Sequence, residues 1–366
     1  MTKKKILIAT GGTGGHIFPA YSLASYLIKN NYDVKITTDE RGYKYLQNYN
    51  DRKNLQIIKI PSSPLIKRDL FKLILSFFIM LYSLIKSMIY LVFNRPSIII
   101  GMGGYSSFSV CIAATVLRIK FITYENNLII GKANKYLLPF TKKLFVSYKE
   151  LEGVQEKYNN KILEIGNIVR EEIINASLIN QDDKFDEIKV LVLGGSQAAR
   201  VFAEELPSIF KELKNSFSAL KVFQQCQKNQ NEKLSKFYRD NSIDYEVFNF
   251  SDQIINYYSK VNLVITRSGA SVLGELINMK KPFISIPLPT SADNHQHKNA
   301  QFYQKKGYGF LLRERDIKDK LFDLIDAIFK DKSKLKNILS NQRQYSDKDI
   351  FKNINIELKK ITDEKN

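Results

Sequence analysis

Two stretches of the chain, KKKILIATGGTGGHIFPA at its start and KVLVLGGSQAAR near its middle, follow one grammar: a short apolar run, paired glycines, then a helix opening. Few folds accept that unit. A strand that ends in a glycine turn and re-enters a helix lets backbone N–H groups and the positive end of the helix dipole approach an anion. The pairs opened by Gly11 and Gly194 lie half a chain apart. The offset predicts two Rossmann-like α/β domains in tandem, with functional residues at the carboxyl ends of the strands and a shared ligand between the domains.

Further strands are predicted at Ile6 to Ala9, Val34 to Thr38, Ser97 to Gly101 and Phe121 to Tyr124 in the first half. In the second half they are predicted at Lys221 to Gln225, Tyr245 to Phe248, Leu263 to Thr266 and Phe283 to Pro287. Another glycine turn runs from Gly101 to Ser107. The first turn, Thr10 to Gly15 followed by His16, has neither the G-x-G-x-x-G spacing of dinucleotide binders nor a Walker lysine. Only Asp39 or Glu40 stands near the ribose-reading distance of an oxidoreductase. Hydride transfer and phosphoryl transfer are both disfavoured.

With 366 residues and 44% hydrophobic content, the chain is long enough for two cores. Its two cysteines, Cys111 and Cys226, make no disulfide framework, and the apolar run Ile6 to Ala9 is too short for a secretory h-region, which predicts a cytoplasmic setting. A net charge of +19 suggests an acidic partner, or else a lysine-rich genome bias. No arginine cluster or zinc-finger spacing supports nucleic acid, and none is expected as a partner.

Leu65 to Arg95 is the most hydrophobic segment, yet Lys72 and Lys86 interrupt it, so a membrane span is not expected. Two readings fit it equally. One is a helix lying on an anionic membrane surface, with Phe71, Leu75, Phe78 and Tyr82 toward acyl chains and Lys67, Arg68, Lys72 and Lys86 toward headgroups. The other is a core helix of an α/β domain.

Seven motifs, GGTGGHIFPA from Gly11, GMGGYSS from Gly101, ENN from Glu125, GNIVR from Gly166, GGSQAAR from Gly194, RSGASVLGEL from Arg267 and HQHKNA from His295, together resemble the MurG family. These are the UDP-N-acetylglucosamine:undecaprenyl-pyrophosphoryl-muramoyl-pentapeptide transferases of peptidoglycan synthesis. Order and spacing match along nearly the whole chain. The resemblance implies a GT-B fold: two Rossmann-like domains with parallel sheets facing across a cleft. Residues 1–167 would hold the lipid acceptor and membrane contact, 168–344 the nucleotide sugar, and 345–366 a helix returning to the first domain. The implied reaction is an inverting transfer of N-acetylglucosamine from UDP-N-acetylglucosamine to a polyprenyl-pyrophosphate lipid, lipid I to lipid II, at the cytoplasmic face of the inner membrane. A related transferase acting on a different membrane lipid is the alternative. Tyr124, Asn126, Ile168 and Ala198 stand where the family carries His, Gln, Pro and Gly.

Such a transfer needs a base for the attacking hydroxyl and positive potential for the departing pyrophosphate. The only Asp-x-Asp, Asp347-Lys348-Asp349, follows Ser346 at a helix start, where capping is expected; neither metal nor cofactor is. His295 and His297 lack a third ligand nearby. His16, at the head of a helix whose dipole favours a neutral ring, is the leading base, against a turn-packing role. Glu125 is its rival, against a structural role as acceptor of N–H bonds. The resemblance assigns Thr13, Gly14, Gly15, Asn127, Arg170, Ser196, Ser251, Ala270, Ser271, Val272, Leu273, Gly274, Glu275 and Gln296 to the donor, with Glu275 on the ribose and Gln296 on sugar hydroxyls. Gly103, Gly104, Tyr105 and Ser106 fall to the acceptor pyrophosphate.

Overall fold

A computed structural model describes residues 3–12, 14–47, 55–63, 70–177, 185–195, 200–251 and 253–364. Thr13, Ser196, Ala198, Leu65, Lys67 and Arg68 lie outside these. The chain divides into two compact units, one of 1–170 with 347–366 and one of 171–346.

In the first unit the strands are β1 (Lys5–Ala9), β2 (Asp33–Thr38), β3 (Gln56–Lys59), β4 (Ile98–Gly101), β5 (Phe121–Glu125), β6 (Leu144–Val146) and β7 (Ile162–Glu164). Its helices are α1 (Gly14–Lys29), α2 (Glu40–Gln47), α3 (Leu70–Phe93), α4 (Tyr105–Val116) and α5 (Lys132–Leu137). Every pairing is parallel, in the order β3-β2-β1-β4-β5-β6-β7, with Ile6 beside both Val34 and Ile98 and Ala9 beside Gly101. Central strands such as KILIA and IIIG are continuous apolar runs because helices cover both faces. The winding reverses between β1 and β4. That switch point is where a doubly wound sheet opens to ligand.

The second unit holds helices α6 (Glu171–Ser177), α7 (Arg200–Ser216), α8 (Asn231–Asp240), α9 (Ile254–Lys260), α10 (Ala270–Asn278), α11 (His295–Lys305), α12 (Ile317–Lys330) and α13 (Ser333–Arg343). Its strands β8 (Ile188–Leu193), β9 (Leu220–Gln225), β10 (Asp244–Phe248), β11 (Leu263–Thr266), β12 (Phe283–Ser285) and β13 (Phe310–Leu311) form a second parallel sheet ordered β10-β9-β8-β11-β12-β13. Its core packs Phe202, Leu206 and Phe210 of α7 and Leu321, Ile325 and Ile328 of α12 against the sheet.

The last helix, α14 (Ile350–Asp363), belongs to the first unit. Phe351 stacks on Tyr26 at 5.0 Å, the Tyr32 hydroxyl donates to Asn355 Oδ1 at 2.8 Å, and Lys4 pairs with Asp363. Both crossings between units fall slightly later than the sequence suggests, after Arg170 and Ser346. The reason is local. Gly166 to Ile168 remain bonded to Tyr124, and the Asn167 N–H donates to Asp347 Oδ1 at 3.0 Å.

The two aspartates at the start of α14 are used differently. The buried Asp347 carboxylate holds Asn167, and Asp349 at the N-cap makes no side-chain capping bond.

The apolar segment forms α3, which packs on α4 with an unusual division of faces. Ser76, Ser83 and Ser87 are buried with Leu91, while Phe71, Phe77, Phe78, Tyr82 and Phe93 are exposed. Ser87 returns its hydroxyl to the Ser83 carbonyl at 2.7 Å, Ser76 pairs with Ser63 at 2.9 Å, and Ser109 of α4 reaches Met80 Sδ of α3 at 3.9 Å. One face is core and the other is an exposed apolar stripe.

Candidate active site

The first unit brings two glycine turns into contact at its switch point. The turn after β1 carries Gly11, Gly12, Gly14, Gly15 and His16; the turn after β4 carries Gly103 and Gly104 and leads to Tyr105. Ser106 Oγ donates to the Thr10 carbonyl at 2.8 Å, and a Cβ on Gly104 would lie 2.7 Å from the Gly11 carbonyl oxygen. Side chains are excluded by this approach. A Cβ on Gly103 would fall 2.8 Å from His16 Cε1 and 3.0 Å from Nδ1, so the imidazole lies directly on the Gly103 backbone. Gly103 and Gly104 have φ of 94° and 86°, a region that favours glycine.

The Gly12 N–H donates to Asp39 Oδ2 at 2.9 Å. The Ser106 side chain is buried and joins the two turns. Tyr105 remains 44% exposed at the head of α4. Pro19, inside α1, has no N–H for the Gly15 carbonyl, and Asn126 Nδ2 approaches that oxygen at 3.5 Å.

Glu125 ends β5 in a buried position where its carboxylate meets four donors. Oε1 accepts from Asn127 N at 3.1 Å and Asn127 Nδ2 at 2.9 Å; Oε2 accepts from Gly131 N at 2.8 Å and Asn134 Nδ2 at 3.0 Å. A carboxylate so occupied organises its loop, the structural role that rivalled the base. Asn127 shares that task. The preceding residue explains another pair of departures from the family pattern. The Tyr124 hydroxyl, whose ionisation burial pushes well up, accepts the Ile168 N–H at 3.0 Å, a donor that a proline would lack. Arg170 reaches over the Phe18 ring, 5.9 Å from its centre.

In the second unit the candidates follow the carboxyl ends of successive strands. Ser251 follows β10 and accepts the Gln253 N–H at 3.1 Å, with Phe250 half exposed beside it. Gly194 and Gly195 follow β8, and the Gly194 N–H donates to Gln225 Oε1 at 3.2 Å. After β11 the buried Arg267 pairs with Glu314, donates to the carbonyls of Ile286 and Pro287, and covers the Phe202 ring at 4.7 Å. Gly269, the N-cap of α10, has no side chain to cap the helix, and the first turn that follows is Ala270, Ser271 and Val272, the end of a helix that suits an anion.

Leu273 is buried in the core, so only its backbone can serve a ligand, and Gly274 is buried beside it. Glu275 lies in the second turn of α10, where Oε2 accepts the Tyr258 hydroxyl at 3.0 Å. Gln296 opens α11 and accepts the Leu288 N–H at 2.9 Å, which ties it to the loop after β12. His295 Nδ1 faces the Ala292 carbonyl at 2.7 Å.

Four side chains that matter here have partners that no motif announces: Asp39 accepts from Gly12, Arg267 pairs with Glu314, and Asp347 accepts from Asn167, while the Asp-x-x-Gly spacing before α2 carries only the cap that Asp39 makes to Gly42.

Comparison with known proteins supplies an independent finding. Residues 6–146 match the glycosyltransferase family 28 N-terminal domain, and 189–354 match the family 28 C-terminal domain. A protein of Pelagibacter ubique (strain HTCC1062) described as UDP-N-acetylglucosamine–N-acetylmuramyl-(pentapeptide) pyrophosphoryl-undecaprenol N-acetylglucosamine transferase is 35% identical over 362 residues, covering 99% of each chain. One of the same description from Rickettsia bellii (strain RML369-C) is 34% identical, covering 93% of this chain and 96% of its own. Among solved structures, Acinetobacter baumannii MurG aligns with a TM-score of 0.76 at 21% identity, covering 98% of this chain and 99% of that one.

Proposed function

From its membership of the MurG family of N-acetylglucosamine transferases, we infer that the chain moves N-acetylglucosamine from UDP-N-acetylglucosamine to lipid I in peptidoglycan synthesis. His16 is the base that takes the proton of the muramoyl hydroxyl as that oxygen attacks the sugar carbon and UDP departs. The observation that carries this role is the seat of the imidazole: at the head of α1, against Gly103, at the switch point of the first sheet. Glu125 holds the neighbouring loop.

The departing pyrophosphate gathers negative charge and meets the uncapped N-terminus of α10. A helix dipole contributes about 0.3–1 kcal/mol when exposed and up to ~2 when partly buried, so the α10 terminus supplies one part of the stabilisation. Glu275 accepts ribose hydroxyls and Gln296 sugar hydroxyls. The head of α4, with Gly103, Gly104 and Tyr105, receives the acceptor pyrophosphate.

The same reading places the enzyme on the cytoplasmic face of the membrane through α3. Its serines face the protein and its aromatics face outward, the reverse of a water-facing helix. Anionic lipid suits the chain's charge of +19.

Incubation of labelled UDP-N-acetylglucosamine with lipid I tests the reading, using wild type and His16→Ala. General-base catalysis contributes about 10²- to 10⁴-fold, and a loss of that size is expected. Near wild-type turnover of His16→Ala removes the assignment. Transfer to another lipid but not to lipid I selects the alternative acceptor.

A further inference from the structure

Asp39 has no part in the donor or acceptor contacts above, yet its carboxylate gathers three segments of the first unit. Oδ1 accepts the Gly42 N–H at 2.8 Å, the N-cap bond of α2. Oδ2 accepts the Gly12 N–H at 2.9 Å and the Ser62 hydroxyl at 3.0 Å. These donors follow β1, β2 and β3, so one side chain ties the loops at the carboxyl ends of three adjacent strands.

The Gly11–Gly12 peptide is held from both ends. Its N–H points at Asp39, while its carbonyl oxygen lies 2.7 Å from where a Gly104 Cβ would stand. A Cβ on Gly11 would meet Ser106 Oγ at 2.1 Å and Asp39 Oδ2 at 3.0 Å, so the turn is clasped between the two. Gly12, at φ 84°, has no described residue within 4 Å of its Cβ position apart from its chain neighbours.

We propose that Asp39 is a positioning residue for the transfer reaction: by accepting the Gly12 N–H it sets the orientation of the glycine turn and, through it, the seat of the His16 imidazole. The inference rests on the reading of His16 as base. A capping role alone predicts something different, because Asn is as good an N-cap as Asp. In Asp39→Asn the cap is kept, but the amide NH₂ then confronts the Gly12 N–H and cannot accept from it.

The test compares wild type, Asp39→Asn, Ser62→Ala and His16→Ala, reading kcat, KM for UDP-N-acetylglucosamine, melting temperature and histidine ring resonances by NMR. The chain has only three histidines, so His16, His295 and His297 can be assigned. Asp39→Asn is expected to lower kcat by roughly tenfold or more, the scale of a sub-ångström misplacement. KM should change far less, and the His16 resonance should move while His295 and His297 hold. Ser62→Ala, which leaves the Gly12 bond in place, should keep most of kcat.

Wild-type kcat in Asp39→Asn beside an inactive His16→Ala overturns the inference and leaves the base reading standing. A loss of kcat with an unmoved His16 resonance also overturns it, as does a loss no larger than the fall in folded fraction. Normal turnover in His16→Ala overturns the base reading instead.

Discussion

Replacing Gly103 by alanine asks whether the seat of His16 matters to turnover. Two costs can be separated. The backbone at φ 94° disfavours any side chain, and a non-glycine residue held there costs about 1–3 kcal/mol. The new methyl would also stand 2.8 Å from His16 Cε1 and 3.0 Å from Nδ1, against an ordinary carbon contact of about 3.5–4.0 Å. The imidazole must therefore retreat by roughly 0.5–1 Å, a displacement that can cost about 10²-fold in rate.

Gly153→Ala isolates the first cost. Gly153 has φ 88°, its Cβ would touch only Ile130 Cγ2 at 3.1 Å, and it lies outside both glycine turns. Each variant should melt about 2–12 °C lower, given ~2–4 °C per kcal/mol for units of this size. Only Gly103→Ala should lose turnover, by roughly 10- to 100-fold, measured as kcat with lipid I at a temperature where both variants stay folded. If its kcat matches that of Gly153→Ala, the placement of the imidazole against Gly103 is irrelevant to the chemistry.

Other consequences can be measured separately. Glu125→Gln turns an Nε2 toward the donors on Gly131 and Asn134; the unpaired buried groups cost about 1–3 kcal/mol, and calorimetry should find a destabilised protein whose turnover falls only as far as its folded fraction. The double variant Phe77→Ser, Phe78→Ser removes two side chains that are each 60% exposed, so it should leave the melting temperature intact and weaken flotation with phosphatidylglycerol-containing vesicles by roughly tenfold or more. Unchanged flotation would detach α3 from the membrane. Burial pushes the Cys226 thiol up to about 11 and the Cys111 thiol and Tyr90 phenol up to about 12. The native state thus keeps protons that the unfolded chain releases, so this contribution is complete below about pH 9 and disappears as pH rises toward 12. Alkaline melts should show that decline, and both thiols should resist a disulfide reagent at pH 8 until the protein unfolds.

What the sequence revealed of the fold follows from where periodicity is strong. The long apolar runs at β1, β4, β8 and β11 were legible because buried parallel strands are apolar on both faces. β3, β6, β7 and β13 were not: QIIK is polar at both ends and only half buried, and LFV, ILE and FL are two or three residues long, too short to display a period. For α3 the pattern left two readings open, because a helix apolar on most of its faces does not say which face is buried; the structure buries Ser76, Ser83 and Ser87 and exposes Phe71, Leu75, Phe78 and Tyr82.

The glycine turns were legible as turns, but not the fate of their amides. Whether Gly12 offers its N–H to a ligand depends on Asp39, and whether Ser106 faces an acceptor depends on the Thr10 carbonyl. Both partners are distant in sequence and adjacent only because β1, β2 and β4 are neighbours in the sheet. The pairing of Tyr124 with Ile168 carries the same logic to substitutions. Each residue alone departs from a familiar motif, yet the Ile168 N–H and the Tyr124 hydroxyl satisfy one another in the interior. Tyr124→Phe should therefore strand a buried N–H at a cost of about 1–3 kcal/mol, and restoring proline at position 168 in that background should recover part of the loss because the stranded donor is gone. Two changes that look like erosion of a motif are, in this fold, one hydrogen bond.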